Sequence, residues 1–185
     1  MLSQFTREIP EHVTLADLDF NFSKDVYPVG RLDADSEGLL VLTNDRHLNS
    51  KLLNPKSKQP KTYWVQVEGI PHYQALRQLQ GGLTIRIKKK EHKTGPCKAI
   101  ALENVDLPPR TPPIRVRKSV PDSWLSIQLT EGKNRQVRRM CAAVGFPVLR
   151  LVRVGLAGFV LGEGVLDNFK PGEVRRIVFK PDSFL

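Results

Sequence analysis

Cysteine is scarce: Cys97 and Cys141 are the two in 185 residues. They lack metal-ligand spacing and read as reduced thiols of a cytoplasmic protein. A chain of this length buries roughly 70% of its unfolded surface, so its fold needs neither a disulfide nor a metal. The four histidines, His12, His47, His72 and His92, form no metal pattern and are assigned no role. No apolar run approaches the ~20 residues of a membrane span. The opening, MLSQFTREIPEH, has no basic start followed by an apolar stretch, so no signal peptide is read. Gly155, Gly158, Gly162 and Gly164 miss the nucleotide-binding spacing, because Leu156-Ala157 and Phe159-Val160-Leu161 interrupt it. Internal repeats and low-complexity linkers are also missing, which leaves one compact domain over residues 1–185, or two small lobes sharing a core.

Acidic residues are in deficit. Asp and Glu number 19 against 29 Lys and Arg, a formal net charge of +10. Such a balance favours polyanions, nucleic acid above all. The cations are clustered. Lys133, Arg135, Arg138, Arg139, Arg150 and Arg153 follow Gly132 with no acid among them; Arg86, Lys88, Lys89, Lys90 and Lys93 form a second group. Arg110, Arg115, Arg117 and Lys118 form a third. Arginine predominates in the first and third, and its planar fork suits phosphates and base stacking.

Patterning predicts more strands than helices. Leu39-Leu40-Val41-Leu42 suits a strand buried on both faces, with Asn44 or Asp45 capping a helix whose inner stripe is Leu48, Leu52 and Leu53. Lys61 to Glu68 alternates as a strand, with Tyr63, Val65 and Val67 on one face. Pro71 at a first helical position and Gly81 past the end bracket a helix that turns Leu76 and Leu79 inward. Glu91 to Pro121 is Pro-rich and basic, mostly loop or edge strand. A strand at Leu125–Leu129 is followed by a helix from Asn134 to Val144 closed by Gly145. Further strands are expected at Val148–Val154, Phe159–Leu161 and Val174–Phe179. Consecutive strands point to an α+β fold with a mixed, largely antiparallel sheet and flanking helices.

Three segments carry more polar chemistry than packing explains. Gly30-Arg31-Leu32-Asp33-Ala34-Asp35-Ser36-Glu37-Gly38 puts three carboxylates ahead of an apolar strand. It is either a polar turn or a loop held rigidly enough to present a carboxylate. Asp33 and Asp35 could form a glycosidase-like pair, but two loop neighbours do not fix the separation that chemistry needs. In Lys61-Thr62-Tyr63-Trp64-Val65, Tyr63 is either a core residue or, lining a cleft, a ring for stacking and a phenol for proton transfer. In Glu131-Gly132-Lys133-Asn134-Arg135-Gln136-Val137-Arg138-Arg139-Met140, helical spacing groups Arg135, Arg138 and Arg139, whose mutual repulsion calls for an anion between them. Gly132, near a helix N-terminus, suits the approach of a phosphate.

Together these segments resemble the RsuA-type branch of the pseudouridine synthases, over about residues 4–174. Pro112-Pro113-Ile114-Arg115 through Lys118 and Val144-Gly145-Phe146-Pro147 are similar to its E-type subgroup, which acts on large-subunit ribosomal RNA. The resemblance implies a sheet with a central RNA-binding cleft, no metal and no organic cofactor. It matches Asp33 to the family's essential aspartate and Tyr63 to its active-site tyrosine. Arg138 corresponds to the basic residue that pairs with the aspartate, and Arg31 to the residue flanking it on the RNA side. The family's opening strand with an N-K-P-like motif is missing, as is the small S4-type RNA-binding domain, so RNA affinity falls to this domain and its basic clusters.

The reaction so implied breaks N1–C1′ of a uridine, turns the base and rejoins it through C5. A base inside a helix must first be flipped out. Asp33 is the nucleophile expected, toward C1′, the uracil ring or through a glycal. Arg138 would keep it charged, Tyr63 would stack on the base and remove a proton, and Arg31 would fill the vacated gap. Lys133, Asn134, Arg135 and Arg139 are expected to meet phosphates, with Lys61 and Gln136 of the same motifs as further RNA contacts. Structured RNA is the expected partner, and a monomer the expected state. The rival reading, a catalytically silent RNA-binding or ribosome-assembly protein, needs the basic clusters but not Asp33, Tyr63 and Arg138 together.

Overall fold

The computed structural model describes residues 1–115, 117 and 119–178. Lys118 of the third basic cluster and Phe179 of the last expected strand lie outside them. The chain opens with irregular segments and a 3-10 turn at Leu15–Asp17, then runs through β1 (Tyr27–Pro28), β2 (Glu37–Gly38), β3 (Leu42–Thr43) and α1 (Arg46–Leu53). Next come β4 (Lys61–Glu68), α2 (Tyr73–Gly81), β5 (Thr84–Ile87), β6 (Lys90–Lys93) and β7 (Lys98–Leu102). β8 (Asp122–Leu129), α3 (Gln136–Ala143), β9 (Val148–Leu156) and β10 (Phe159–Val160) complete it.

The central sheet has six strands. Five lie in the order β10-β9-β4-β8-β7 with antiparallel pairing, and β2 joins β9 in parallel. It is therefore an α+β fold with a mixed, largely antiparallel sheet, as the consecutive strands predict. Val65, Val67, Leu125, Ile127 and Leu151 of the sheet pack with Leu79 of α2 and Val137, Met140 and Cys141 of α3. A second cluster of Val29, Leu39, Leu52, Leu156 and Leu166 lies under the segment that carries Asp33. The chain between Glu103 and Pro121 has no strand among its described residues and is tied down by arginines. Arg150 donates to the Pro108 carbonyl at 2.9 Å, and Arg117 pairs with Glu68 at 3.2 Å.

Four expectations change. Leu39–Leu42 is not one strand. Gly38 turns the chain at φ +103° after two residues beside β9, and the path departs to pair β3 with β1. In α1, Asp45 does cap the helix, accepting from His47 and Leu48, but Leu53 is exposed rather than on the inner stripe. α2 starts at Tyr73 rather than at Pro71, because the His72 ring nitrogen accepts from the Ala75 amide and serves as the cap. No strand forms over 174–178, which lies off the central sheet's hydrogen-bonding path. No helix among the described residues is long and apolar enough to cross a membrane.

Candidate active site

Asp33 sits on a loop fastened at both ends. Upstream, the Ser3 hydroxyl donates to the Leu32 carbonyl at 3.1 Å and accepts from the Leu32 amide at 2.9 Å. At the turn itself, Ser36 N–H donates to the Asp33 carbonyl at 2.9 Å. Downstream, β2 lies so close to β9 that a Cβ on Gly38 would be 2.2 Å from the Arg153 carbonyl oxygen. Only a residue without a side chain permits that approach, and only glycine adopts φ +103° without strain. Leu39 N–H then donates to the Arg153 carbonyl at 2.7 Å, and Arg153 Nε donates back to the Leu39 carbonyl at 2.8 Å. The carboxylate is thus carried by backbone that is hydrogen-bonded to the central sheet.

Across from it stands β4. The β4–β9 register makes Tyr63 the cross-strand neighbour of Arg153, with a bulge between Thr62 and Tyr63. Such neighbours share a face and interact directly. Burial pushes the Tyr63 phenol above its ordinary range, although Arg153 opposes the shift by charge and hydrogen bonding; Asp33 adds to it. The Arg153 guanidinium is itself pulled below the usual arginine range by its burial, at 4% exposure. Lys61, two residues before Tyr63, is lowered by burial and by Arg153. A pocket of about 660 Å³ opens over this floor, and Asp33, Tyr63, Lys61, Arg153, Arg31 and Arg135 all line it.

The basic segment before and within α3 closes another side. Arg135 caps α3 in the left-handed region at φ 49°, and its guanidinium grips Asp35 with two bonds of 2.9 Å. It also lies 3.7 Å from Asp33. Arg138 donates to the Asp35 backbone carbonyl at 2.8 Å and lies 3.4 Å from the Asp35 carboxylate. Hydrogen bonding from Arg135, followed by the charge of Arg138, holds the Asp35 carboxyl below its usual range. The anion expected between Arg135 and Arg138 is therefore the chain's own Asp35.

Several sequence expectations are redistributed. Arg138 meets Asp35 rather than Asp33; among the described residues the cation in ion-pair range of Asp33 is Arg135. The helix turn sets Arg138 behind the loop, half-buried. Arg139 diverges from its two neighbours, donating to the Arg86 carbonyl at 2.8 Å and to Asn134. Gln136 is buried at 4% exposure. Its amide nitrogen donates to Glu131 at 2.6 Å and its oxygen accepts from the Lys133 amide, so it braces the loop and presents no free surface. Lys133 and Asn134 are exposed on the pocket rim, and Arg31 is exposed with Gln4 as its partner at 2.9 Å. Arg150 and Arg153, which clustering groups with the exposed cations, are both buried. Arg150 pairs with Glu37 at 2.8 Å. Asp35, held by two arginines, has no role as the second acid of a glycosidase pair. Sequence reasoning missed the pairing of Tyr63 with Arg153; alternation on β9 carried the only signal. Among the described residues no three His, Cys, Asp or Glu side chains are grouped to hold a metal.

A carboxylate loop sewn to a mixed sheet, facing a tyrosine and a buried arginine across a basic-rimmed pocket, defines a domain built for chemistry on a polyanion. Residues 3–143 match the family model described as RNA pseudouridylate synthase, and the chain belongs to that family of isomerases. It is 51% identical over 176 residues to a protein of Xanthomonas axonopodis pv. citri named ribosomal large subunit pseudouridine synthase E. That match spans 92% of this chain and 85% of the relative. A Vibrio parahaemolyticus protein of the same name is 48% identical, over 95% of this chain and 69% of its own. Among solved structures, one titled as the crystal structure of a pseudouridylate synthase superposes with TM-score 0.61 at 27% identity. It covers 79% of this chain and 54% of that one.

Proposed function

We propose that this chain isomerises a uridine of large-subunit ribosomal RNA, acting in the cytoplasm as a monomer, with Asp33 as its nucleophilic carboxylate. The observation that carries the assignment is that Asp33 and Tyr63 face one pocket of about 660 Å³. That volume lies within the range of sites for nucleoside-sized ligands. The names of the relatives about half identical to this chain support the ribosomal substrate.

In this reading the target uridine leaves its helix and enters the pocket, at a cost of a few kcal/mol. Asp33 promotes loss of the N1–C1′ bond, the uracil turns, and C5 forms the new bond to C1′. Tyr63 packs on the base and takes the proton that C5 must then lose. Arg135, at 3.7 Å, sets a positive charge beside the Asp33 carboxylate, with Arg138 braced against the same loop through Asp35. Arg31, released from Gln4, fills the gap the flipped base leaves. Lys133, Asn134 and Arg139 meet phosphates around the rim, and Lys61 adds positive charge beneath it.

The test is Asp33→Asn, which keeps size and hydrogen bonding but removes the negative charge. Tritium release from RNA labelled at uridine C5 should fall to background while RNA binding stays within a few-fold. Appreciable turnover by the purified variant refutes the assignment. Mapping pseudouridines in ribosomal RNA from cells with and without the protein identifies the nucleotide.

A further inference from the structure

Arg135, Arg138 and Arg150 each sit on a carboxylate. Arg153 is more deeply buried than any of them, yet among the described residues it has no acidic partner. Its Nε is held by the Leu39 carbonyl, and its Nη2 is buried with no hydrogen-bond acceptor. An uncompensated buried cation is costly, and a neighbouring group that can carry negative charge would offset that cost. The titratable group beside the guanidinium is the Tyr63 phenol, on the residue that the β4–β9 register sets opposite Arg153. We propose that Arg153 is the positioning partner of Tyr63: it aims the phenol into the pocket and supplies the countercharge for a Tyr63 phenolate that accepts the C5 proton. The inference rests on Tyr63 being the proton acceptor, and deepens that reading.

The proton bookkeeping requires such a partner. Once C5 has bonded to C1′, C5 is tetrahedral and N1 is doubly bonded to C6. The C5–H electron pair forms the C5=C6 double bond, the N1=C6 pair moves to N1, and N1 takes a proton from water. The proton leaving C5 needs a base with a free electron pair and no proton to lose. A neutral phenol does not qualify, whereas a phenolate does; it becomes phenol and returns its proton to solvent between turnovers. Burial outweighs Arg153 and raises the phenol above its ordinary range, so it is protonated at neutral pH. The accepting form is therefore a minor species whose population rises with pH.

The charged groups around the phenol are few. β9 contributes Arg153, the loop before β2 contributes Asp33, and Tyr63's own strand contributes Lys61, itself beside Arg153. β8 places Ile127 next to Tyr63, and α3 turns Gln136 and Val137 toward the same pocket. Glu8, His12, Arg31, Glu131, Lys133 and Arg135 line the pocket as well. Burial and Asp33 oppose phenolate formation and Arg153 favours it, so removing Arg153 takes away what offsets burial.

The test is a double-mutant cycle between Tyr63→Phe and Arg153→Gln, read by single-turnover release of tritium from C5 between pH 6 and 9.5. Tyr63→Phe should slow release on the order of 10²–10⁴-fold, the range of a positioned base, and abolish its rise with pH. Arg153→Gln should slow release at pH 7 at least ten-fold and move the rising limb to higher pH by one unit or more. Arg153→Lys should recover part of both. Adding Arg153→Gln to Tyr63→Phe should cost little more. A near-normal Tyr63→Phe overturns the reading of Tyr63 itself. A slow Tyr63→Phe with an Arg153→Gln loss that is undiminished in that background, or a limb that does not move, overturns the role of Arg153 alone. Ultraviolet titration covers a poorly folding Arg153→Gln. The chain has three tyrosines, and Tyr27 and Tyr73 are exposed, so subtracting the Tyr63→Phe curve isolates Tyr63. Tyr63 should ionise at lower pH in the wild type than in Arg153→Lys, and identical curves also overturn the proposal.

Discussion

Gly38→Ala separates the seam that holds the Asp33 loop from the chemistry of the loop itself. An added Cβ would lie 2.2 Å from the Arg153 carbonyl oxygen, 2.6 Å from its nitrogen and 2.9 Å from its carbonyl carbon. All three are backbone atoms of a central strand, so no side chain can swing aside and the β2–β9 seam must open. Alanine at φ +103° adds backbone strain of about 1–3 kcal/mol. Displacing the seam also weakens the Leu39-to-Arg153 backbone bond of 2.7 Å and the Arg153 Nε bond of 2.8 Å, at about 1 kcal/mol each. Together these give a loss of about 3–5 kcal/mol, or a fall in Tm of roughly 6–20 °C for a domain of this size. Activity should fall further than stability predicts. A shift of about 1 Å in the carboxylate costs on the order of 10²-fold in rate, even under conditions where the variant is fully folded. Urea melts read the first quantity, and single-turnover pseudouridine formation well below the melting point reads the second. A variant within 0.5 kcal/mol of wild type, or one with normal turnover, would show that the close approach of β2 to β9 does not position Asp33.

Two other expectations concern the flanking charges. Asp35→Asn removes the anion between Arg135 and Arg138, and because the Asp35 side chain is 44% exposed its stability effect should stay at or below about 1 kcal/mol. Its carboxyl is lowered in the folded chain, so the contribution is present above the unfolded value near 3.8 and fades as pH falls through the folded one; urea melts of the two proteins should converge in acid. Turnover by Asp35→Asn should be far less impaired than by Asp33→Asn, and equal loss would restore the paired-acid reading. Arg139→Ala should weaken RNA binding regardless of sequence and flatten the salt dependence by about one unit of slope per lost phosphate contact; an unchanged slope in filter-binding titrations puts Arg139 off the RNA path.

Local pattern was enough where the chain obeys one period. Alternation over Lys61–Glu68 delimits β4 to the residue, and the expected helix from Asn134 to Val144 contains α3 at Gln136–Ala143. The motif around Asp33, with its glycines and small polar residues, marked a loop but left open whether it was a polar turn or a rigid mount for a carboxylate. What local pattern could not reveal was which charges are buried. Arg150 and Arg153 stand in a basic run that looks like Arg135 and Arg139, and only the insertion of β9 between β2 and β4 turns them inward.

Side-chain identity was therefore legible, and partnership was not. The sequence by itself determined the strand-rich α+β architecture, the basic character and which residue types were candidates for the site, because hydrophobic period, charge and functional groups are local properties. Tertiary structure alone decided that Arg138 meets Asp35 rather than Asp33, that the chain turns at Gly38 so that Leu39–Leu42 is not one strand, and that Tyr63 lies opposite Arg153. Each depends on contacts between segments 90 to 115 residues apart in numbering. Such contacts are set by sheet order and register, which no window of neighbouring residues contains.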